Sequence, residues 1–272
     1  MSSENPKIAE FKNIYVSYGE GDVLRGIDLD VGELEHTAIL GANGSGKSTL
    51  IKLFSNDIYP RVRPDSSKKM FGKERWSIFE LKRLVGIVTN NFHYYMEHTA
   101  PNISCFEAVI SSFHSSIGIF ESQEYDDIMR NGAQRAIERV GIAHLSQKPL
   151  CEMSTGELRK CLIARALALE PKALLLDEPT VGLDIKAQIE FLEMVRELSK
   201  EKTIILITHH IEEIFPEIKK VLLLKSGKIF KYGTKKEVMT SQNLSETFGV
   251  SVELGLDGER YYVKSMRKND GF

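Results

Sequence analysis

The nine residues Gly41-Ala42-Asn43-Gly44-Ser45-Gly46-Lys47-Ser48-Thr49 leave this chain few ways to fold. They match G-x-x-x-x-G-K-[ST], with Gly41, Gly46, Lys47 and Ser48 at the fixed positions. Such a loop joins a buried strand to a helix, and both flanks suit it. Residues 37–40 (Thr-Ala-Ile-Leu) are a short apolar run, and residues 50–54 carry the apolar side of a helix. Glycines without a Cβ let successive N–H groups curl around phosphate oxygens, and the following helix aims its positive end at the same anion. Lys47 would reach the β- and γ-phosphates, and the Ser48 hydroxyl would ligate Mg²⁺. Asn43, Gly44, Ser45 and Thr49 complete the cradle. The glycines run G-x-x-G-x-G rather than G-x-G-x-x-G, which excludes a dinucleotide fingerprint. The expected ligand is a nucleoside triphosphate.

Composition narrows the class. At 272 residues the chain has room for one large α/β domain or two small ones. A net charge of −2 gives no electrostatic case for nucleic-acid binding, and none is expected. No apolar run reaches the ~18–20 residues needed to span a bilayer. The polar start, Met-Ser-Ser-Glu-Asn-Pro-Lys, lacks the apolar core of a signal peptide. Cys105, Cys151 and Cys161 are widely spaced and odd in number, as expected of reduced thiols in a cytosolic protein. The adjacent His209-His210 pair has no metal-ligand spacing, and His210 is expected to point away from its neighbour.

Along the chain, residues 8–18 and 23–31 alternate like two antiparallel strands, with 19–21 as their turn. Residues 61–75 are basic and expected to be a solvated loop or hairpin. Residues 83–89 suit a buried strand. From Asn90 the composition shifts to Asn, His, Ser and aromatics, and residues 101–105 look like a loop entering a helix. Helical periodicity marks 106–117, 124–140 and 157–169. Strand runs at 173–176 and 203–208 flank a helix at 186–200, for which a right-handed βαβ crossover is the default. Residues 221–224 and 229–232 form a closing hairpin around Ser-Gly, and residues 264–272 are expected to be loose. The fold expected is α/β: a phosphate-loop core of the RecA-like kind with a small antiparallel β subdomain and an inserted helical subdomain. One domain would fill 1–272, with the core at 1–91 and 166–250, the helical part at 92–165, and a tail at 251–272.

Asp177-Glu178 ends the apolar run 173–176, at the edge of a parallel sheet where ligands bind. Asp177 suits Mg²⁺, and Glu178 suits a general base for in-line attack on a γ-phosphate. An acidic pair that merely caps the next loop is the alternative. With the phosphate loop, Met153-Ser154-Thr155-Gly156-Glu157-Leu158, Leu176-Asp177-Glu178-Pro179-Thr180, Gly182-Leu183-Asp184 and Thr208-His209, the chain resembles the ABC ATPase family in order and spacing. The likeness spans residues 8 to about 250.

What this resemblance implies can be set on individual residues. Tyr18 matches the aromatic that stacks on adenine, with an edge-strand core tyrosine as the alternative. Ser154 and Gly156, with Thr155 and Glu157 in the same signature, would contact the γ-phosphate bound by an opposite subunit. Ser154 also suits a plain helix cap with Glu157 closing a capping box, and both roles can coexist. Asp184 resembles a loop aspartate at the dimer interface, and His209 a switch histidine that hydrogen-bonds the γ-phosphate. Glu178, His209 and Lys47 would be the catalytic set; ATP and Mg²⁺ would be the ligands, the metal at Ser48, Asp177 and Asn90. Two chains would pair head to tail around two ATP, opening after hydrolysis to drive a separate transmembrane permease from the cytoplasmic side of the membrane. The tail 225–250 resembles members that power uptake of iron complexes, cobalamin or molybdate.

Three features depart from the family pattern. The signature reads Ser-Thr-Gly-Glu rather than Ser-Gly-Gly-Gln. Asn90 stands where the family carries a glutamine that touches Mg²⁺ and the transport partner, on a stem one methylene shorter. The following 91–101 segment, where a membrane subunit would dock, has unusual sequence. Asn90 and the altered segment after it support a second reading, a soluble ABC ATPase that clamps nucleic acid, a ribosome or a regulatory protein.

Overall fold

Alternation between buried and half-exposed positions pairs β1 (Lys7–Tyr18) with β2 (Gly21–Gly32), antiparallel from Lys7↔Gly32 to Tyr18↔Gly21. The structure is a computed structural model and describes residues 6–19 and 21–268; Glu20 of the expected 19–21 turn lies outside them. The chain continues through β3 (Thr37–Leu40), α1 (Lys47–Phe54), β4 (Ser67–Met70) and α2 (Ile78–Leu84). Next come β5 (Val85–Val88), α3 (Asn90–Thr99), α4 (Cys105–Ile110), α5 (Asp127–Arg139), α6 (Thr155–Leu167), β6 (Ala173–Asp177) and α7 (Ile185–Ser199). The final stretch holds β7 (Thr203–Thr208), β8 (Lys220–Lys225), β9 (Lys228–Thr234), α8 (Lys235–Val238), α9 (Ser241–Phe248), β10 (Ser251–Asp257) and β11 (Arg260–Arg267). Two compact units result, one from residues up to Leu81 and from Ser199 onward, the other from Lys82 to Leu198.

In the first unit, β3 lies between β7 and β8 in parallel, and β9 adds antiparallel outside β8. Every residue of β3 and β7 is buried, as a parallel strand covered on both faces requires. The small sheet runs β2-β1-β4, so the basic 61–75 stretch supplies an edge strand. Tyr232 on β9 donates its hydroxyl to the Asp30 carbonyl of β2 at 2.6 Å. His36, just ahead of β3, is buried; its Nδ1 accepts from the Ile204 N–H at 3.1 Å and its carbonyl accepts from Lys219 N–H at 3.0 Å.

The C-terminal residues depart from expectation. β10 and β11 form a hairpin that carries strand structure through Arg267, where 264–272 reads as loose; residues 269–272 lie outside the described part. Hydroxyls from α9 secure it: Ser245 accepts from Val252 N–H at 2.8 Å and Ser241 from Leu254 N–H at 3.0 Å. The Tyr262 ring crosses Gly255, where a Cβ would sit 2.3 Å from the ring and force it aside.

The second unit sets β5 parallel to β6, with Val85↔Ala173 through Val88↔Leu176 in register. Its helices pack around Arg165 of α6, which is buried and donates to the Ala108 carbonyl, the Ser111 hydroxyl at 2.7 Å and the Ser116 carbonyl at 2.7 Å. Burial pushes this guanidinium down to about 10, and three acceptors hold it in place. The expected 106–117 helix ends early. α4 stops at Ile110, a short 3-10 turn follows, and Ser115 takes φ +53°. Cys105 and Cys161 are buried free thiols in this unit, and Cys151 is an exposed one.

Candidate functional site

The phosphate loop begins where buried β3 ends. A Cβ on Gly41 would lie 2.5 Å from the Leu224 carbonyl oxygen and 2.5 Å from Ser45 Oγ, so no side chain fits. Gly46 opens α1 at φ +108° and supplies no side-chain cap, which leaves the first-turn N–H groups open toward an anion. Lys47 folds back along its own loop, its Nζ donating to the Gly41 carbonyl at 2.6 Å and to the Ala42 carbonyl at 3.3 Å. Ser45 Oγ is buried without a hydrogen-bond partner, a costly arrangement unless a ligand supplies one. Asn43, Gly44 and Ser48 are exposed, while Thr49 is buried beneath the helix start.

Two features of this loop were not legible in its motif. The β8–β9 turn backs it: the Gly227 N–H donates to the Ser45 carbonyl at 2.9 Å, and the Gly227 carbonyl accepts from Arg25 N–H of β2 at 2.8 Å. Ser226 and Gly227 both take positive φ, the geometry of a two-residue primed turn. The only advance sign was Ser-Gly between two strands. Second, Lys52 of α1 places its ammonium 5.6 Å from the centroid of the Tyr18 ring, which closes β1 and is 49% exposed. The exposed ring disfavours the core-tyrosine alternative.

At the end of β7, His209 and His210 are both exposed, with ring centroids 4.0 Å apart and planes tilted by 38°. His210 therefore does not point away as expected. Its backbone N–H donates to the Thr208 hydroxyl at 2.9 Å.

In the second unit, β6 ends on half-exposed Asp177, and Glu178 follows at φ +48°. A glutamate in the left-handed region carries strain of roughly 1–3 kcal/mol, of the kind that collects at working sites. The loop beyond turns at Gly182 (φ +81°), and Asp184 caps α7 by accepting the Ala187 N–H at 2.8 Å. Asn90 is the first residue of α3, whose cap is Thr89, accepting the Phe92 N–H at 3.2 Å. The unusual 91–101 segment is therefore largely helix. It presents exposed Tyr94 and Tyr95, and Tyr94 stacks on His98 with centroids 3.9 Å apart.

The signature opens α6 with a complete capping box. Ser154 Oγ accepts the Glu157 N–H at 3.3 Å, and Glu157 Oε2 accepts the Ser154 N–H at 2.9 Å. Lys148 adds a 2.8 Å ion pair to the same carboxylate, and this pair, then the Ser154 N–H, holds the Glu157 carboxyl below its usual range. Ser154 and Thr155 are exposed. Gly156 has ordinary φ, and a Cβ there would meet only Ala187 Cβ at 3.6 Å and Leu183 Cδ2 at 3.9 Å. Among the described residues, nothing within the chain demands glycine at this position.

A buried parallel strand, a glycine loop and an uncapped helix define a phosphate-loop nucleotide-binding fold. A family model described as "ABC transporter" matches residues 24–181, and a shorter match, described as "AAA domain, putative AbiEii toxin, Type IV TA system", covers residues 149–214. The chain is 31% identical over 273 residues to energy-coupling factor transporter ATP-binding protein EcfA2 of Clostridium perfringens, covering 97% of this chain and 90% of that one. It is 30% identical to the uncharacterized ABC transporter ATP-binding protein YlmA of Bacillus subtilis, with 94% and 96% covered. Among solved structures, cbiO1 from Clostridium perfringens, described as part of the ABC transporter complex cbiONQ, superposes with a TM-score of 0.74 at 30% identity, covering 89% and 94%. The chain belongs to the ABC transporter family of ATP-binding proteins. It is an ATP-binding subunit of that family and an ATPase.

Proposed function

We propose that this chain is the ATP-hydrolysing half of a head-to-tail homodimer that drives a separate transmembrane permease from the cytoplasmic face of a membrane. Among the described residues, no helix is long and apolar enough to cross a membrane. The observation that carries the dimer is Gly156. Glycine early in a helix costs up to about 1 kcal/mol relative to alanine, yet the chain's own packing leaves room for a Cβ. Close approach by something outside the chain accounts for it. A γ-phosphate held by a second copy, arriving at the N-terminus of α6 between exposed Ser154 and Thr155, has the right chemistry. Two such sites related by a twofold axis close the assembly.

Within each copy, residues 41–49 cradle the phosphates and Lys47 neutralises the terminal ones. Tyr18 stacks on adenine. Glu178 accepts a proton from the attacking water, His209 senses the γ-phosphate, and Asp184 contacts the partner copy. The hydroxyl of Ser48 and the carboxylate of Asp177 are hard oxygen donors suited to Mg²⁺, with the Asn90 amide as a further donor. When bound, a magnesium ion would neutralise phosphate charge. Loss of the bridging γ-phosphate loosens the dimer.

The test is Glu178→Gln. With ATP and Mg²⁺ it should hydrolyse slowly and elute as a dimer on size exclusion, whereas Lys47→Ala should not bind ATP and should stay monomeric. A Glu178→Gln protein that remains monomeric while saturated with ATP contradicts the sandwich. The relatives named for energy-coupling factor transport and for the cbiONQ complex support the permease reading. Asn90 and the unusual sequence of the segment after it favour the second reading, a soluble clamp. Co-purification with a multi-span membrane protein distinguishes the two.

A further inference from the structure

We infer that Lys52 is a positioning residue for the nucleotide base, acting through Tyr18. The inference rests on Tyr18 being the adenine platform and deepens that assignment. Tyr18 is the last residue of β1, beside a turn and 49% exposed, so strand packing alone does not fix the plane of its ring. Lys52 comes from α1, the same helix whose first turn meets the phosphates. Its ammonium stands 5.6 Å from the ring centroid, within cation–π range, and no ion pair competes for it among the described residues. A cation seated on one face holds the ring by its negative quadrupole and leaves the opposite face for a flat π-system.

The consequence is geometric. α1 carries the phosphate cradle at its N-terminus and Lys52 in its last turn, so one rigid element sets both the phosphate position and the ring that receives the base. The distance between the two contacts is fixed by helix rise along α1. Lys52 thus selects for a ligand bearing a planar base at that separation from its phosphates, and does nothing for phosphates alone.

The experiment compares dissociation constants for MgADP and for magnesium tripolyphosphate across the full-length protein and the variants Lys52→Met, Lys52→Arg and Tyr18→Ala. Lys52→Met should weaken MgADP about two- to fivefold, the size expected of an exposed cation–π contact, and leave tripolyphosphate unchanged. Lys52→Arg should restore MgADP, and Tyr18→Ala should weaken MgADP at least as much as Lys52→Met. Equal weakening of both ligands by Lys52→Met would make the lysine a general attractor of phosphate and overturn the inference. An unchanged MgADP constant in Lys52→Met beside a weakened one in Tyr18→Ala would overturn it while sparing the stacking role. If Tyr18→Ala leaves MgADP binding intact, the adenine platform itself is wrong, and the inference falls with it.

Discussion

Gly227 donates its backbone N–H to the Ser45 carbonyl at 2.9 Å, so the turn between β8 and β9 braces the middle of the phosphate loop from behind. The same residue accepts from Arg25 N–H of β2, which links the loop to the strand that pairs with Tyr18's. A loop whose N–H groups must stay aimed at an anion gains from such a brace. Its geometry is set before the ligand arrives.

Gly227→Ala should therefore be severe. The position has φ +76°, and a Cβ would lie 2.0 Å from the Val23 carbonyl oxygen. The combined conformational and steric cost is about 2–5 kcal/mol. The expected outcome is a lowered Tm together with weakened ATP binding; a variant with unaltered Tm would show that the turn moves freely of the loop.

Gly156→Ala should do the opposite to stability. With only van der Waals contacts awaiting the new methyl group, Tm should stay level or rise, by up to about 1 kcal/mol of stability. ATP turnover should drop roughly tenfold or more, since close approach at the helix start is lost. Undiminished turnover would remove the case for a ligand at this glycine.

Ser154 can be separated from its cap. Ser154→Ala should cost about 1 kcal/mol of stability and lower turnover, whereas Ser154→Asn keeps a capping oxygen and hence most of the stability. Both variants should turn over slowly while binding nucleotide normally as monomers. Recovery of full turnover by Ser154→Asn would reduce Ser154 to a cap.

Arg165→Met should loosen the helical unit. It removes the Arg165 donor from the Ala108 carbonyl, the Ser111 hydroxyl and the Ser116 carbonyl; Ser111 still donates to Ala108, so the Ser116 carbonyl bears the main loss, about 1–3 kcal/mol for a buried group left unmet. Limited proteolysis should then cut between residues 111 and 126 far faster than in the unaltered chain, and an unchanged digestion rate would argue that Arg165 is incidental.

His36 gives stability a pH dependence. Burial, then the nearby Lys219 charge, lowers its pKa from the ordinary value of 6.5, with Glu217 opposing. The folded state thus prefers the neutral ring, whose Nδ1 accepts the Ile204 N–H. Below about pH 6.5 the unfolded chain binds a proton that the folded chain refuses, so stability falls as pH drops through this window and levels off below the folded pKa. Urea denaturation of His36→Gln at pH 7.5 and 5.5 should show a smaller decline than the unaltered protein. An equal decline would place the acid sensitivity elsewhere.

Where residue type dictates backbone behaviour over a few positions, the chain could be read directly. The glycines at 41, 44 and 46, the apolar runs of β3, β6 and β7, and the Ser154–Glu157 box each follow from local sterics or hydrogen bonding, and they carried the family assignment. α3 was not legible because its side chains are polar and aromatic without an apolar stripe; its one clear sign was Thr89 as cap. The C-terminal hairpin was underrated because its stabilising contacts come from outside the hairpin, from Ser241 and Ser245 of α9 and from Glu212 at Val263.

The sequence by itself determined that a phosphate loop, an acidic strand end and a signature helix are present, since each is a short-range pattern with a short-range cause. Only the tertiary structure decided that Gly227 braces Ser45, that Lys52 lies over Tyr18 and that Gly156 has room to spare. These are meetings between residues far apart along the chain, or absences of contact. Neither has a local signature, because the energies that set them arise only once the strands and helices are packed.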